Sequence, residues 1–263
     1  MKKINFKRNL IYIFAILLAV ALSIQTAAAH EILLEFPQEV NTGESVDIEI
    51  SFGHFPDTYD SEHSHFTNLE EGILTIISPD GSKNDIDFRA NEKKYYAAYQ
   101  PEEQGLYWIV FNSTRDVMDG TEDGDGLQLR DYNAKAPLIV GDVDKITIPE
   151  TGLKVNIVNE EGFYNNAGEE ITLQLIYEGE AVSDQSLTVV DPIEQSQSLN
   201  SDEDGFVSFV LETEGRWMVH ISNLTDENKS GEYQGQEYDR RRFNTALYIE
   251  VKEERGFLER IFN

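Results

Sequence analysis

The histidines of this chain are concentrated near its start, in a pattern typical of a metal site. Residues 1–29 combine a basic start, an apolar run and the small residues Ala27-Ala28-Ala29, which predicts a signal peptide cleaved just before His30. The α-amine and imidazole of a terminal His30 can together close a chelate ring on one divalent metal ion. Three of the other four histidines follow in one polar segment: His54, His63 and His65.

Imidazole nitrogens are common ligands for nickel, cobalt, copper and zinc. His63 and His65 are two residues apart, so they share one face of a strand or reach one ion from a loop. The predicted metal ligands are therefore His30, His54, His63 and His65. The alternative is a solvated loop that contains histidines without binding a metal.

His220, the fifth histidine, lies far along the chain in a predicted strand. Strand alternation predicts that it faces the same side as Met218 and Ser222, opposite Trp217, Val219 and Ile221. Because a single histidine on a strand is more often structural, we leave His220 outside the predicted metal site.

The net charge and the lack of cysteine exclude some classes of function and some means of stabilising the fold. The chain has 21 Lys+Arg against 49 Asp+Glu, a net charge of −28, which argues against nucleic-acid binding because a phosphate backbone would be repelled. The same charge favours cations near the surface, and it equally suits life at high salt. There is no cysteine, so packed cores must stabilise the chain without disulfides.

The elements that must position these histidines are predicted to be strands. Short β-branched and aromatic runs recur between Gly, Pro, Asn and Asp turns, without helical periodicity. In the first half they are Glu31–Phe36, Ser45–Phe52, Gly72–Ser78, Asp85–Phe88, Lys94–Gln100, Leu106–Asn112 and Pro137–Val140. In the second half they are Leu153–Val158, Glu170–Tyr177, Ser186–Val190, Val207–Leu211, Arg216–Ser222 and Thr245–Val251.

These runs predict an all-β protein with two tandem β-sandwich domains of immunoglobulin-like character, divided near Gly141–Thr151. At the C-terminus, Phe257, Leu258, Ile261 and Phe262 share one helical face, which predicts an amphipathic helix. The predicted organisation is a signal peptide over 1–29, an N-terminal metal-binding domain over 30–141, a C-terminal immunoglobulin-like domain over 152–252 and a short amphipathic tail over 253–263.

Three sequence segments resemble those of a known family. They are His30-Glu31-Ile32-Leu33-Leu34, Phe52-Gly53-His54-Phe55, and the late pattern Asp202-Glu203-Asp204-Gly205-Phe206 followed by Glu214-Gly215-Arg216-Trp217-Met218-Val219-His220. Together they resemble exported nickel and cobalt uptake accessory proteins, the additional periplasmic components of energy-coupling-factor-type nickel transporters. The resemblance implies β-sandwich domains that capture nickel or cobalt outside the cytoplasmic membrane and pass it to the transporter's membrane subunits. His30 and His54 match the family's metal positions, with His63 and His65 as a completion.

Two other functions compete with metal delivery. One is a copper-binding protein or oxidase with an N-terminal histidine site, and the other is a structural or adhesive cell-surface β-sandwich without metal. Enzymatic activity is not expected, because the sequence has no Gly-x-Ser-x-Gly turn, no His-Glu-x-x-His helix and no phosphate-binding glycine loop. We expect a periplasmic or extracellular location, with peripheral membrane contact through the tail.

Overall fold

The computed structural model describes residues 31–55, 57–58, 69–91, 94–142, 148–159 and 165–252. The predicted signal peptide and the predicted tail lie outside these residues. The first half of the described chain contains ten strands: β1 (Glu31–Glu35), β2 (Glu39–Val40), β3 (Val46–His54), β4 (Asp57–Thr58), β5 (Ile73–Ile77), β6 (Lys83–Ile86), β7 (Arg89–Asn91), β8 (Lys94–Tyr99), β9 (Gly105–Gly120) and β10 (Gly126–Val140).

A 3₁₀ turn over Thr121–Asp123 separates β9 from β10. The second half contains eleven strands: β11 (Val155–Asn159), β12 (Asn165–Asn166), β13 (Glu170–Tyr177), β14 (Glu180–Ala181), β15 (Ser186–Val190), β16 (Ser196–Asn200), β17 (Phe206–Val210), β18 (Gly215–Asp226), β19 (Gly231–Tyr233), β20 (Gln236–Tyr238) and β21 (Arg240–Lys252). The all-β prediction is confirmed. Across the described ranges, no helix is long and apolar enough to cross a membrane.

A central ten-stranded sheet runs through the molecule in the order β16-β15-β18-β21-β10-β9-β5-β6, with β2 and β12 added beside β10 and β21. Its middle pair, β10 and β21, is parallel and in register from Gln128 opposite Arg240 to Lys135 opposite Leu247. A sheet of β1, β3, β8, β7 and β4 and another of β11, β13, β14 and β17 complete the layers, and β19 pairs with β20.

The two smaller sheets cover opposite faces of the central sheet. Successive side chains of a strand point to opposite faces, and Leu106–Phe111 in β9 is buried throughout. Trp108 belongs to the core beneath β11, β13 and β17, whereas Tyr107 belongs to the core beneath β1, β3 and β8. A strand covered on both sides needs a continuous apolar run, which explains the Leu-Tyr-Trp-Ile-Val-Phe sequence. The result is a β-sandwich-like architecture with two cores.

The central sheet contains strands from both predicted domains, because β10 precedes the predicted boundary and β21 follows it. The described part of that boundary also packs on the first half of the chain. Trp108 Nε1 donates a hydrogen bond to the Pro149 carbonyl (3.1 Å), and Lys83 Nζ donates one to the Thr151 carbonyl (3.0 Å). Residues 143–147 of the boundary lie outside the described residues.

Candidate functional site

The structure describes one part of the predicted metal site. His54 is the last residue of β3. His30, His63 and His65 lie outside the described residues. The sequence neighbour of His30, Glu31, is the first residue of β1.

Strands β1 and β3 are antiparallel neighbours, and their register is the central geometric fact at this site. Glu31 is paired with Gly53, and Ile32 is paired with Phe52. The residue that follows His30 in sequence therefore lies opposite the residue that precedes His54. A site shared by His30 and His54 requires β1 to lie beside the end of β3, and the register shows that β1 lies there.

Glu31 carries a buried carboxyl group beside the end of β3. Its side chain is 6% exposed, and it accepts a hydrogen bond from the backbone N–H of Phe55, the residue after His54. Burial raises the pKa of Glu31 to about 8, although the N–H groups of Phe55 and of Glu31 itself favour the carboxylate. The carboxyl group therefore ties β1 to the backbone at the end of β3.

His220 approaches the same carboxyl group from β18. Its Nδ1 lies 3.4 Å from Glu31 Oε1, a close polar contact between two side chains that are each almost fully buried. Burial lowers the pKa of His220 to about 4, so the imidazole is neutral at neutral pH. The alternation predicted for this strand is confirmed, because Met218 and Trp217 belong to opposite cores.

The sequence reasoning left His220 outside the site, and it had no reason to single out Glu31. The strand alternation correctly places His220 on the same face as Met218. Alternation alone does not show that Glu31 of β1 contacts that face. The neighbouring sequence predicts that Glu31 is an exposed polar residue at the start of a strand, whereas the tertiary structure buries it.

Other polar groups surround the Glu31–His220 contact. Tyr132 and Asn244 are buried, and together with Glu31 and His220 they line a small gap in the core. Asn244 Nδ2 has no hydrogen-bond partner in the structure, so this end of the core is polar but incompletely paired. Within the described ranges, no three His, Cys, Asp or Glu side chains form a metal-binding group.

Arginines gather at the same end of the central sheet. The Arg115 guanidinium carbon lies 5.2 Å from the Phe52 ring centre and 5.3 Å from that of Tyr132. Arg130 and Arg242 are directly paired between β10 and β21. Burial lowers the pKa of Arg242, and the nearby charge of Arg130 lowers it further. The Arg240-Arg241-Arg242 run in an acidic chain was the sequence signal for this cluster.

Glu31 and His220 place a carboxyl group and a neutral imidazole close together where β1 pairs with the end of β3. The fold and the site define an all-β, sandwich-like protein with a buried carboxyl–imidazole pair at the β1–β3 edge.

Residues 27–225 match a family model described as Domain of unknown function (DUF4198). The chain therefore belongs to the DUF4198 family. No curated protein matches the sequence.

Solved structures give distant matches. The Salmonella alpha-2-macroglobulin reacted with methylamine is 13% identical, with a TM-score of 0.26, over 83% of this chain and 15% of that one. The trypsin-activated alpha-2-macroglobulin from Escherichia coli is 16% identical, with a TM-score of 0.28, over 84% and 16%. A marsupial T cell receptor is 12% identical, with a TM-score of 0.23, over 83% and 73%. The chain thus spans about a sixth of the macroglobulins it matches, and identities this low carry no argument about function.

Proposed function

We propose that this protein binds nickel or cobalt on the outer side of the cytoplasmic membrane and delivers it to the membrane subunits of a transporter. The observation that supports the proposal most directly is the β1–β3 register. It brings the sequence neighbours of His30 and His54 opposite each other. The metal would be held by the α-amine and imidazole of His30, by His54 and by one or both of His63 and His65.

Glu31 and His220 would position this site. The Glu31 carboxyl group accepts the Phe55 N–H and so fixes the backbone directly after His54. His220 contacts the same carboxyl group. Groups that orient a metal ligand commonly change metal affinity by about 10- to 100-fold when they are lost.

The deciding experiment compares two forms of the protein by calorimetry with nickel. One form begins at His30, and the other carries five glycines before it, which moves the α-amine out of chelating range of the His30 imidazole while every side chain stays in place. We expect the extended form to bind nickel at least about tenfold more weakly, because it loses one arm of the chelate. A form with five glycines added after Asn263 is the matched control and should bind like the first.

The outcomes separate the competing functions. Equal nickel affinity in the first two forms would exclude the terminal-amine site. No binding of nickel, cobalt or copper by either form would favour the structural or adhesive β-sandwich. Binding of copper but not of nickel or cobalt would favour the copper-binding alternative, because raw affinity already favours copper at most nitrogen sites.

The division of the chain into domains and the role of its C-terminal segment are part of the same proposal. We infer two immunoglobulin-like β-sandwiches over 30–141 and 152–252, built on the shared central sheet, with the metal site in the first. The amphipathic segment 253–263 would contact the transporter or the membrane. Deleting it should weaken co-purification with transporter subunits and leave the melting temperature unchanged.

A further inference from the structure

A second candidate site lies on the opposite face of the central sheet from Glu31 and His220. It is a cavity of about 510 Å³ between β9 and β10 on one side and β11 and β13 on the other. Residues 148–153, which include the end of the predicted domain boundary, form one wall. Its apolar lining includes Trp108, Ile148, Pro149, Leu153, Val158 and Ile176. Cavities of a few hundred Å³ with mostly apolar walls are typical of small-molecule sites.

The amine of Lys135 is buried in the wall of this cavity. The residue is 2% exposed, and its Nζ donates a hydrogen bond to Asn156 Oδ1. The same Nζ lies 4.5 Å from the centre of the Trp108 ring, a cation–π distance. Lys135 forms no ion pair with any carboxylate of the described chain.

A buried amine without a carboxylate partner is costly, because burial disfavours its charged form. Burial lowers the pKa of Lys135 to about 7. The amide of Asn156 and the ring of Trp108 stabilise an ammonium only in part. A ligand carboxylate entering the cavity would supply the missing negative charge next to the amine.

We propose that this cavity binds a small organic carboxylate, with its apolar group against Trp108 and Leu153 and its carboxylate on Lys135 Nζ. The exposed Glu150 also lines the cavity, so ligands with a second negative charge are disfavoured. This site is independent of the metal site, since the two occupy opposite faces of the central sheet.

The test uses two probes of matched shape, 4-phenylbutyrate and 4-phenylbutan-1-ol, in calorimetric titrations of the full chain at pH 7. We expect the carboxylate to bind at least about tenfold more tightly than the alcohol, because only the carboxylate can pair with the amine. In Lys135→Met the two probes should bind with equal affinity. The matched control is Lys154→Met, an exposed lysine outside the cavity, which should keep the wild-type preference.

A measurement on the wild-type protein keeps the proposal testable if Lys135→Met does not fold. At pH 8, binding of 4-phenylbutyrate should take up about one proton, because the ligand favours the charged amine. Titrations in phosphate and in Tris reveal this uptake as a difference in measured enthalpy. Glu150→Gln, which removes the carboxyl group lining the cavity, should show the same uptake.

Four results would overturn the proposal. They are failure of both probes to bind, equal affinity of the wild type for the two probes, an unchanged carboxylate preference in a folded Lys135→Met variant, and binding of 4-phenylbutyrate without proton uptake. None of these outcomes bears on nickel binding at His30.

Discussion

Replacing Lys135 by methionine should change how the stability of this protein depends on pH. In the folded chain burial lowers the pKa of this amine to about 7, whereas the exposed amine has a pKa of 10.5. Between these two values the unfolded chain binds the proton and the folded chain does not. The contribution of Lys135 to the free energy of unfolding therefore rises with pH across that window and is lowest below pH 7.

The size of the effect follows from the two pKa values. At about 1.4 kcal/mol per pKa unit, burying the charged amine costs on the order of 5 kcal/mol below pH 7. From pH 7 to pH 9 the wild type should recover about 2 kcal/mol of this cost, since the folded amine is already half neutral at pH 7. Methionine has a similar length and no charge, so the variant should lack this rise and be more stable than wild type at pH 6.

Urea unfolding at pH 6, 7, 8 and 9 measures this prediction. Trp108 and Trp217 are both buried in the core that contains the cavity, so their fluorescence reports on its unfolding. The range ends at pH 9 because tyrosines of the unfolded chain lose protons above it. Groups such as Glu31 titrate alike in both proteins, and the difference between the two profiles isolates Lys135.

A matched control separates the buried charge from a general effect of removing a lysine. Lys154→Met, at an exposed position, should follow the wild-type profile at every pH. If the profiles of Lys135→Met and wild type run parallel from pH 6 to pH 9, the amine is not held neutral by burial and the reasoning is refuted.

Three further predictions address other parts of the fold. Glu31→Ala should weaken nickel binding by about 10- to 100-fold, whereas Glu31→Gln, which keeps an oxygen for the Phe55 N–H, should lose less; equal losses in calorimetry would contradict this role. Gly205→Ala should destabilise the fold by about 1–3 kcal/mol in urea unfolding, because φ is +80° and the new Cβ would lie 2.8 Å from a backbone oxygen. Gly168→Ala, where φ is +89° but the new Cβ would meet open space, should destabilise the fold less. His220→Gln should remove the stability loss expected as pH falls from 6.5 towards 4, where the unfolded imidazole gains a proton and the buried one does not.

Local sequence was sufficient where strand patterning and burial agree. The predicted runs Glu170–Tyr177 and Ser186–Val190 coincide with β13 and β15. Alternation also assigned His220 to the face of Met218. These features depend only on the two-residue period of a strand, which the sequence records directly.

Patterning failed where polar residues are buried. The predicted run Pro137–Val140 covers only the end of β10, which begins at Gly126, because Asn133 and Lys135 interrupt the apolar pattern although both are buried. β16 was missed for the opposite reason, since its residues are polar and mostly exposed at the sheet edge.

The sequence by itself determined the strand content, the faces of the long strands and the cluster of histidines near the start of the chain. Only the tertiary structure decided that β1 lies beside the end of β3, that Glu31 meets His220, and that Lys135 is buried against Asn156 and Trp108. Each of these contacts joins residues far apart in the chain. Strand pairing is made through backbone hydrogen bonds that almost any sequence can form, so local pattern does not specify the partner.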